Sequence, residues 1–570
     1  MNKKNASEER LRQLAAKRMK RDRPAYSRAA LIMGCGIIQK AEGCFMEDHE
    51  GRRFLDLFDV YGNCAFGYRH PRLVDAIRRQ IEAGHTNTSK IFFDEMPILL
   101  AEALAKLTDN ALPCCFFTNG GSEAIDHALK LARAHTRRPK FITARNAYHG
   151  KTFAALSACG RPEYEAMFRP LMPDFQTVPF GDIASLEQAI DQDTAAVLLE
   201  TVQSEGGIVM ASAEYWQRAR KLCDERGALL ILDEIQAGFG RTGRFFAFEH
   251  AGILPDIICI GKSFGGGMLA TAAILSREEF WTPLRTEPLA FGSSLGGNPF
   301  SCAVGLETIA IASDPEFLEG VRRKGEVVSL RLAALAQAYP DLIAAVHGVG
   351  LLQGFTLVDP ALVGLVLRVM YERGVVTTFC IFAVNVIRIE PPLIITESEL
   401  EAGLSALDVA MATTASYVRG LPKGVVGSSW LEATFEVPLH PDVLFSSLCD
   451  SDYLYSNSPI ITGHRALGSE RISCEGRIDD ISIEWDDLVS VAPERREVEQ
   501  RAIEGFWQGF TRRWTVKPAP DMQNALLTFR MEWDVGTGGF ERVLSLRLRF
   551  SLEKAMNEAL SHLRSPAVIA

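Results

Sequence analysis

The chain has 570 residues, room for several domains at roughly 150 residues each, with 47% hydrophobic and 23% charged residues and a formal net charge of −10. That acidic balance gives no reason to invoke nucleic acid, and no apolar run approaches the roughly 20 residues that span a bilayer. Twelve cysteines without a C-x-x-C pair read as reduced thiols rather than a metal site or disulfide framework, so a cytoplasmic protein is the default.

In chain order, the segment Lys3 to Arg28 is basic but interrupted by Glu8, Glu9 and Asp22. It lacks an apolar h-region and reads as a solvated helix or frayed arm. Cys114 to Phe117 form a short apolar run that predicts a strand, with the adjacent Cys114 and Cys115 packed in it rather than bridged. Thr118-Asn119-Gly120-Gly121-Ser122-Glu123 then opens a segment with Ile125, Ala128, Leu129 and Ala132 at helical spacing. A strand, a glycine turn and a helix start in succession suit an anion: free N–H groups and the Ser122 hydroxyl would hold a phosphate dianion. Gly-Gly-Ser is also an ordinary N-cap turn, so these residues alone decide nothing.

Leu229 to Leu232 and Ile257 to Ile260 are aliphatic runs that predict buried strands, the first ending in Asp233 and the second in Gly261-Lys262. Both charged groups then sit at the carboxyl ends of strands, where open α/β sheets bind ligands. A lysine there, its pKa lowered by burial, can form a Schiff base with an aldehyde. A nearby aspartate can keep a pyridine nitrogen protonated, the state in which pyridoxal phosphate acts as an electron sink. Taken singly, Asp233 would be a turn cap and Lys262 a solvated side chain; their pairing favours a covalent cofactor site.

Four other segments extend this pattern: Tyr148-His149-Gly150, ETVQSEGG from Glu200 to Gly207, GSSLGGNP from Gly292 to Pro299, and VIRIEPPL from Val386 to Leu393. With DEIQ at Asp233 to Gln236 and GKSFGGG at Gly261 to Gly267, they make the stretch from about Ala41 to about Thr413 resemble the class III pyridoxal-phosphate aminotransferases. The character is nearest to the putrescine, acetylornithine and ornithine ω-aminotransferases.

The resemblance implies an α/β fold, the fold-type I pyridoxal-phosphate transferase with a mainly parallel sheet in its large domain. It makes Lys262 the Schiff-base lysine and proton shuttle, Asp233 the partner of the pyridine nitrogen, and Gln236 a neighbour of the ring hydroxyl. Gly121 and Ser122 fall in the phosphate loop, although Gly120 and Ser122 depart from the family's TNSGTEA. Tyr148, followed by His149, takes the place of the aromatic ring on the cofactor face. Ser294 stands where the family has a threonine that reaches the phosphate of the neighbouring subunit, which implies a homodimer or larger assembly with shared active sites. Arg388 matches the arginine that grips the α-carboxylate of glutamate or 2-oxoglutarate, and Glu205 the glutamate that neutralises it. Thr201 and Ser204 alter the family's EP-x-QGEGG beside Glu205.

The implied activity is ping-pong transfer of an amino group between glutamate or 2-oxoglutarate and a terminal amine or aldehyde, in biosynthesis, with no metal. An aminomutase or decarboxylase on the same scaffold is the alternative, or a protein acting mainly through a binding module at its C-terminus.

The expected division is an N-terminal arm with part of a small domain over 1–80, a cofactor-binding large domain over 81–320, a small domain over 321–418, a linker over 419–429 and an appended α+β domain over 430–570. The linker is marked by Gly420-Leu421-Pro422-Lys423-Gly424 and Gly427-Ser428-Ser429, and five of the seven tryptophans follow it. Leu431, Ala433, Phe435 and Val437 alternate with polar residues as in a half-buried strand, and Pro441 to Cys449 reads as a short helix. Leu544, Leu546, Leu548 and Phe550 alternate with Ser545, Arg547 and Arg549, which predicts another strand, and Leu552, Met556, Leu560 and Leu563 share one face of a final helix. This order resembles the helix-grip fold of the START and polyketide-cyclase type, which implies an apolar ligand in the C-terminal domain; the plainer reading is a buttress for the dimer. Asp479, Asp480, Asp486 and His464 make no acid-base constellation.

Overall fold

The computed structural model describes residues 35–88 and 92–421, and beyond them 426, 430–437, 440–449, 461–466, 471–478, 481–505, 510–520, 525–534 and 541–563. The basic arm, the linker turns at 422–424 and 427–429, and Asp479 and Asp480 lie outside these residues.

Three short strands, β1 (Ile38–Glu42), β2 (Phe45–Asp48) and β3 (Arg53–Asp56), form an antiparallel meander. The chain then builds a seven-stranded sheet, beginning with β4 (Cys114–Thr118), β5 (Lys140–Ala144), β6 (Phe175–Val178) and β7 (Thr194–Glu200). After β7 it makes a small hairpin of β8 (Val202–Gln203) and β9 (Val209–Met210). It returns to the sheet with β10 (Leu229–Asp233), β11 (Ile257–Ile260) and β12 (Ala272–Ser276). The spatial order is β4-β12-β11-β10-β7-β5-β6, and β12 alone runs against the others.

The apolar runs at Cys114, Leu229 and Ile257 therefore become β4, β10 and β11 as expected. Every residue of β7, β10, β11 and β12 is buried, which is why these strands read as continuous aliphatic runs rather than alternating ones. Helix α1 (Gly121–Thr136) starts directly after β4.

A smaller antiparallel sheet contains β13 (Ile343–Val349) and β14 (Leu352–Leu357). Helix α2 (Ala361–Glu372) follows, then β15 (Val375–Val376), which pairs in parallel with β3 and ties the N-terminal meander to this part of the chain. The small sheet is completed by β16 (Phe379–Cys380) and β17 (Ala383–Ile389) in the order β13-β14-β17-β16. Helix α3 (Glu397–Gly420) ends this region, its first turn closed by a reciprocal cap between Thr396 and Glu399, and it runs through Gly420 into the expected linker.

The C-terminal segment adds a second large sheet and two helices among the described residues. Strand β18 (Trp430–Val437) and helix α4 (Pro441–Cys449) occupy the expected positions. Six strands follow: β19 (Ile461–Ala466), β20 (Arg471–Ile478), β21 (Ile481–Ala492), β22 (Glu497–Gly505), β23 (Thr511–Pro518) and β24 (Ala525–Glu532). They form one antiparallel sheet in which the first strand pairs with the last, β18-β24-β23-β22-β21-β20-β19. Its buried face carries an ion pair between Asp487 and Arg512.

One expectation fails here. Leu544 to Phe550 is not a strand but the first part of the closing helix, α5 (Glu541–Leu563). The alternation comes from two interleaved helical stripes. Val543, Leu546 and Phe550 pack into the core shared with α2 and α3, while Leu544, Leu548 and Leu552 recur every four residues on another face. Trp533, just after β24, donates to Ser545 Oγ at 3.4 Å, so the helix is covered from two sides and its apolar residues mimic a period of two. The side chains of Met556, Leu560 and Leu563 lie outside the described residues.

Every residue of α2 from Ala361 to Met370 is buried, where a surface helix would show a polar face. Helix α5 supplies the missing cover. A Cβ on Gly364 would lie 2.0 Å from the Val543 carbonyl oxygen, so the two helices touch through bare backbone. Arg542 pairs with Asp359 at 2.7 Å, and the Tyr417 hydroxyl donates to Glu553. Replacing Gly364 with valine should push the helices apart at a cost of about 1–3 kcal/mol. Limited proteolysis is expected to release the C-terminal segment from this variant faster than from the parent; an unchanged digestion pattern and melting temperature would refute the close contact.

Candidate active site

Parallel pairing brings three strand ends together. Asp233 on β10 lies in register with Glu200 on β7 and with Cys259 on β11, and Lys262 follows two residues after β11 ends. Asp233 Oδ2 accepts from His149 Nδ1 at 2.8 Å and Oδ1 from the Ile235 N–H at 3.0 Å. Both side chains are buried, so the carboxylate is aimed and cannot swing into solvent. Glu200 Oε1 accepts from the Tyr148 N–H at 2.8 Å; burial first, and then the charge of Asp233, pushes the Glu200 carboxyl well above its ordinary range.

Lys262 has φ +48°, a left-handed conformation that costs a residue with a side chain about 1–2 kcal/mol. The tight turn is held by the Phe264 N–H on the Gly261 carbonyl and by Ser263 Oγ on the Gly62 carbonyl, at 3.0 and 2.8 Å. Lys262 Nζ donates to Gln236 Oε1. Burial lowers the pKa of this ammonium; Glu205, Glu390 and Asp233 oppose the shift and Arg388 adds to it.

At the start of α1, the N-cap is Gly120, which has no side chain to satisfy the first N–H groups. A Cβ on Gly120 would meet nothing within 4 Å, so open space faces this helix end. Beside it the packing is close: a Cβ on Gly121 would come within 2.9 Å of Ile235, and one on Gly150, at φ +130°, within 2.1 Å of Ser122 Oγ. The result is a tight collar around an open helix N-terminus, suited to a phosphate.

On the far side of Lys262 lies a buried charge network. Arg388, near the end of β17, places Nη2 2.8 Å from Glu205 Oε1 and Nη1 2.9 Å from Glu390 Oε2. Glu205 comes from the β8–β9 hairpin, where its other oxygen accepts from the Ile381 N–H at 2.7 Å. Both oxygens of Glu390 accept from Gln236 Nε2 at 2.9 Å. The Tyr61 ring lies 5.2 Å from the guanidinium carbon of Arg388, presented by three successive left-handed residues, Asp59, Val60 and Tyr61. Asp59 pairs with the buried Arg241, and Asp56 accepts from the Phe58 and Asp59 N–H groups, which holds that strained turn in place.

The model of the family Aminotransferase class-III matches residues 26–411 of this chain. The chain belongs to that family. Among solved structures, ornithine aminotransferase from Toxoplasma gondii is 28% identical at a TM-score of 0.64, over 67% of this chain and 92% of that one. A transaminase from the marine bacterium Virgibacillus is 27% identical at 0.63, over 67% and 94%. N-acetylornithine aminotransferase from Stenotrophomonas maltophilia is 29% identical at 0.58, over 67% and 97%. This class-III aminotransferase thus carries a C-terminal unit outside the stretch that the family model matches.

Pyridoxal phosphate is the cofactor of a class-III aminotransferase, and the residues present fit it. The open N-terminus of α1 suits the phosphate, the buried Asp233 a ring nitrogen, and the half-buried Lys262, its pKa lowered by desolvation, an aldehyde. Of the residues singled out in the sequence, Lys262, Gln236, Arg388 and Glu205 join one charge network, and Asp233 and His149 are bonded to each other. Tyr148 is half-buried, its ring 5.7 Å from Phe382. Gly121 and Ser122 open α1. Ser294 stands apart: it is exposed, and its carbonyl accepts from Asn87 Nδ2 at 3.2 Å. Its neighbour Ser293 donates to Glu123 and accepts from Asn119, which fixes the loop against the start of α1. The departures Thr201 and Ser204 are both buried and leave Glu205 facing Arg388.

Sequence reading missed Glu390, Glu200, Tyr61, Asp59 and Arg241. Glu390 had a usable signal, because a residue two along an extended strand from Arg388 points to the same side. Glu200 stood at the head of the ETVQSEGG segment, but its place beside Asp233 depends on strand register, and Tyr61, Asp59 and Arg241 come from segments that only the fold brings together.

Proposed function

We propose that this enzyme moves an amino group between glutamate or 2-oxoglutarate and a substrate with a terminal amine, or its aldehyde, by a ping-pong mechanism in cytoplasmic biosynthesis. The carrying observation is the fully buried Arg388 held against Glu205 at 2.8 Å. A buried guanidinium needs a partner in both half-reactions, and a carboxylate on a separate hairpin can serve when the substrate brings none. This pair favours transamination over aminomutation or decarboxylation. Likeness to enzymes named for ornithine and N-acetylornithine supports a donor that reacts at a terminal amine.

Bound pyridoxal phosphate supplies an aldehyde that captures the amine and a protonated ring that accepts the electron pair when the neighbouring C–H bond breaks. Lys262 would hold the cofactor between turnovers. Freed from it, the neutral amine of Lys262 would be placed to take a proton from the substrate carbon and give it back as a general acid. Asp233, aimed by His149, would keep the ring nitrogen protonated, and Gln236 would be the neighbour of the ring hydroxyl. Gly121, Ser122 and the α1 N-terminus would hold the phosphate, and Tyr148 would wall one ring face. In our reading Ser294 completes the phosphate site of a second subunit, so the working unit is at least a homodimer. We place the domain boundaries at about 80, 320, 418 and 429. The C-terminal strand order and closing helix support a helix-grip unit around an apolar ligand.

The test is a panel of terminal amines with 2-oxoglutarate, read as glutamate formed by the full-length holoenzyme. Glutamate is expected from at least one ω-amine or diamine. Turnover only with an acceptor lacking a second carboxylate would remove the 2-oxoglutarate reading.

A further inference from the structure

Two carboxylates hold Arg388, and they are held differently. Glu205 keeps one backbone bond, from Ile381, and opposes Nη2 at 2.8 Å without forming an aligned hydrogen bond; Nε and Nη2 make no aligned hydrogen bond among the described residues, and the Cys380 thiol lies beside the same guanidinium. That pair of N–H groups is the edge with which a guanidinium grips a carboxylate in two parallel bonds. Glu390 is locked. It takes Gln236 Nε2 on both oxygens, bonds Arg388 Nη1 at 2.9 Å, and is anchored through its own N–H to the Leu57 carbonyl at 2.8 Å. A Cβ on Gly62, at φ +78°, would come within 2.8 Å of Glu390 Oε1, so a glycine leaves the carboxylate its place, and Arg241 Nε stands 3.9 Å from the same oxygen.

We propose that Glu390 is the standing counter-ion and positioning residue of Arg388: it grips Nη1 through both half-reactions, while the Nε–Nη2 edge is exchanged between Glu205 and the carboxylate of the 2-oxo acid. This rests on the 2-oxoglutarate reading above. Its consequence is that two acids on one guanidinium have opposite effects on ligand binding. Glu205 competes with an incoming carboxylate; Glu390 prepares the edge that receives it. If charge alone mattered, removing either acid would tighten binding.

The experiment is calorimetric titration of glutarate into the holoenzyme, in the parent, Glu205→Gln, Glu390→Gln and Glu390→Ala, with single-turnover kinetics of the 2-oxoglutarate half-reaction alongside. Glu205→Gln is expected to bind glutarate more tightly, and Glu390→Gln more weakly by about tenfold, the worth of one charged hydrogen bond. In Glu390→Gln the half-saturating 2-oxoglutarate concentration should rise by a similar factor, while the limiting rate changes by less than about threefold, as loss of uniform binding requires. The isosteric Gln variant keeps the test open if Glu390→Ala does not fold. Tighter glutarate binding in Glu390→Gln, or a fall in limiting rate with unchanged affinity, overturns the proposal alone. A parent enzyme that neither binds glutarate nor reacts with 2-oxoglutarate overturns both it and the reading on which it rests.

Discussion

Replacing Lys262 with alanine is expected to lower the rate of transamination by at least about 10³-fold, because a positioned general base contributes about 10²–10⁴-fold and the covalent anchor is lost with it. The visible absorbance of the holoenzyme should change in the same variant, and its persistence with full activity would end the case for Lys262. A second readout needs no cofactor. In the apoenzyme burial lowers the Lys262 pKa below the ordinary lysine value of about 10.4. Between those two values the unfolded chain binds the proton and the folded chain does not, so stability rises with pH across that window and the full cost of the buried charge is felt below it. Lys262→Met removes that cost. The variant apoenzyme should therefore melt higher than the parent near neutral pH, and the advantage should shrink as pH climbs toward the ordinary lysine value. A variant that melts lower at neutral pH, with no convergence, would show that the neighbouring acids depend on the lysine charge more than burial opposes it.

Arg388→Ala is the second large effect. It leaves Glu205 and Glu390 buried without their shared counter-ion, and breaking a buried ion pair from one side costs about 3–5 kcal/mol. Chemical denaturation should show that loss. The half-saturating 2-oxoglutarate concentration should rise by at least about tenfold, since a charged hydrogen bond is worth about 1.5–3 kcal/mol. Arg388→Lys separates the two consequences. It restores a charge and should recover part of the stability, but a lysine has no planar fork and should not recover the affinity. Equal recovery of both would mean that charge, not geometry, recognises the acceptor.

The parts of the fold legible in the sequence were those where one physical cause acts alone. β10 and β11 are buried on both faces, so their aliphatic runs and terminal Asp233 and Lys262 could be read directly. The start of α1 was legible for a similar reason, a strand and a glycine turn preceding helical spacing. Leu544 to Phe550 was misread because α5 is covered on two sides, and two helical stripes add up to an apparent alternation. The left-handed turn at Asp59 to Tyr61 had no local marker: its residues are ordinary, and its support comes from Arg241, far along the chain. Glu390 lay in view beside Arg388, but its role depends on Gln236 and Gly62, which only folding brings to it.

The contact between Gly364 and Val543 also sets a timetable. The two residues are about 180 positions apart, and chains are synthesised at about 5–20 residues per second. The backbone that covers α2 therefore emerges roughly 10–40 s after α2 itself. During that interval an apolar helix belonging to the catalytic half of the enzyme waits uncovered on the ribosome. A chain truncated before Val543 would keep every aminotransferase residue named above and leave α2 without this cover.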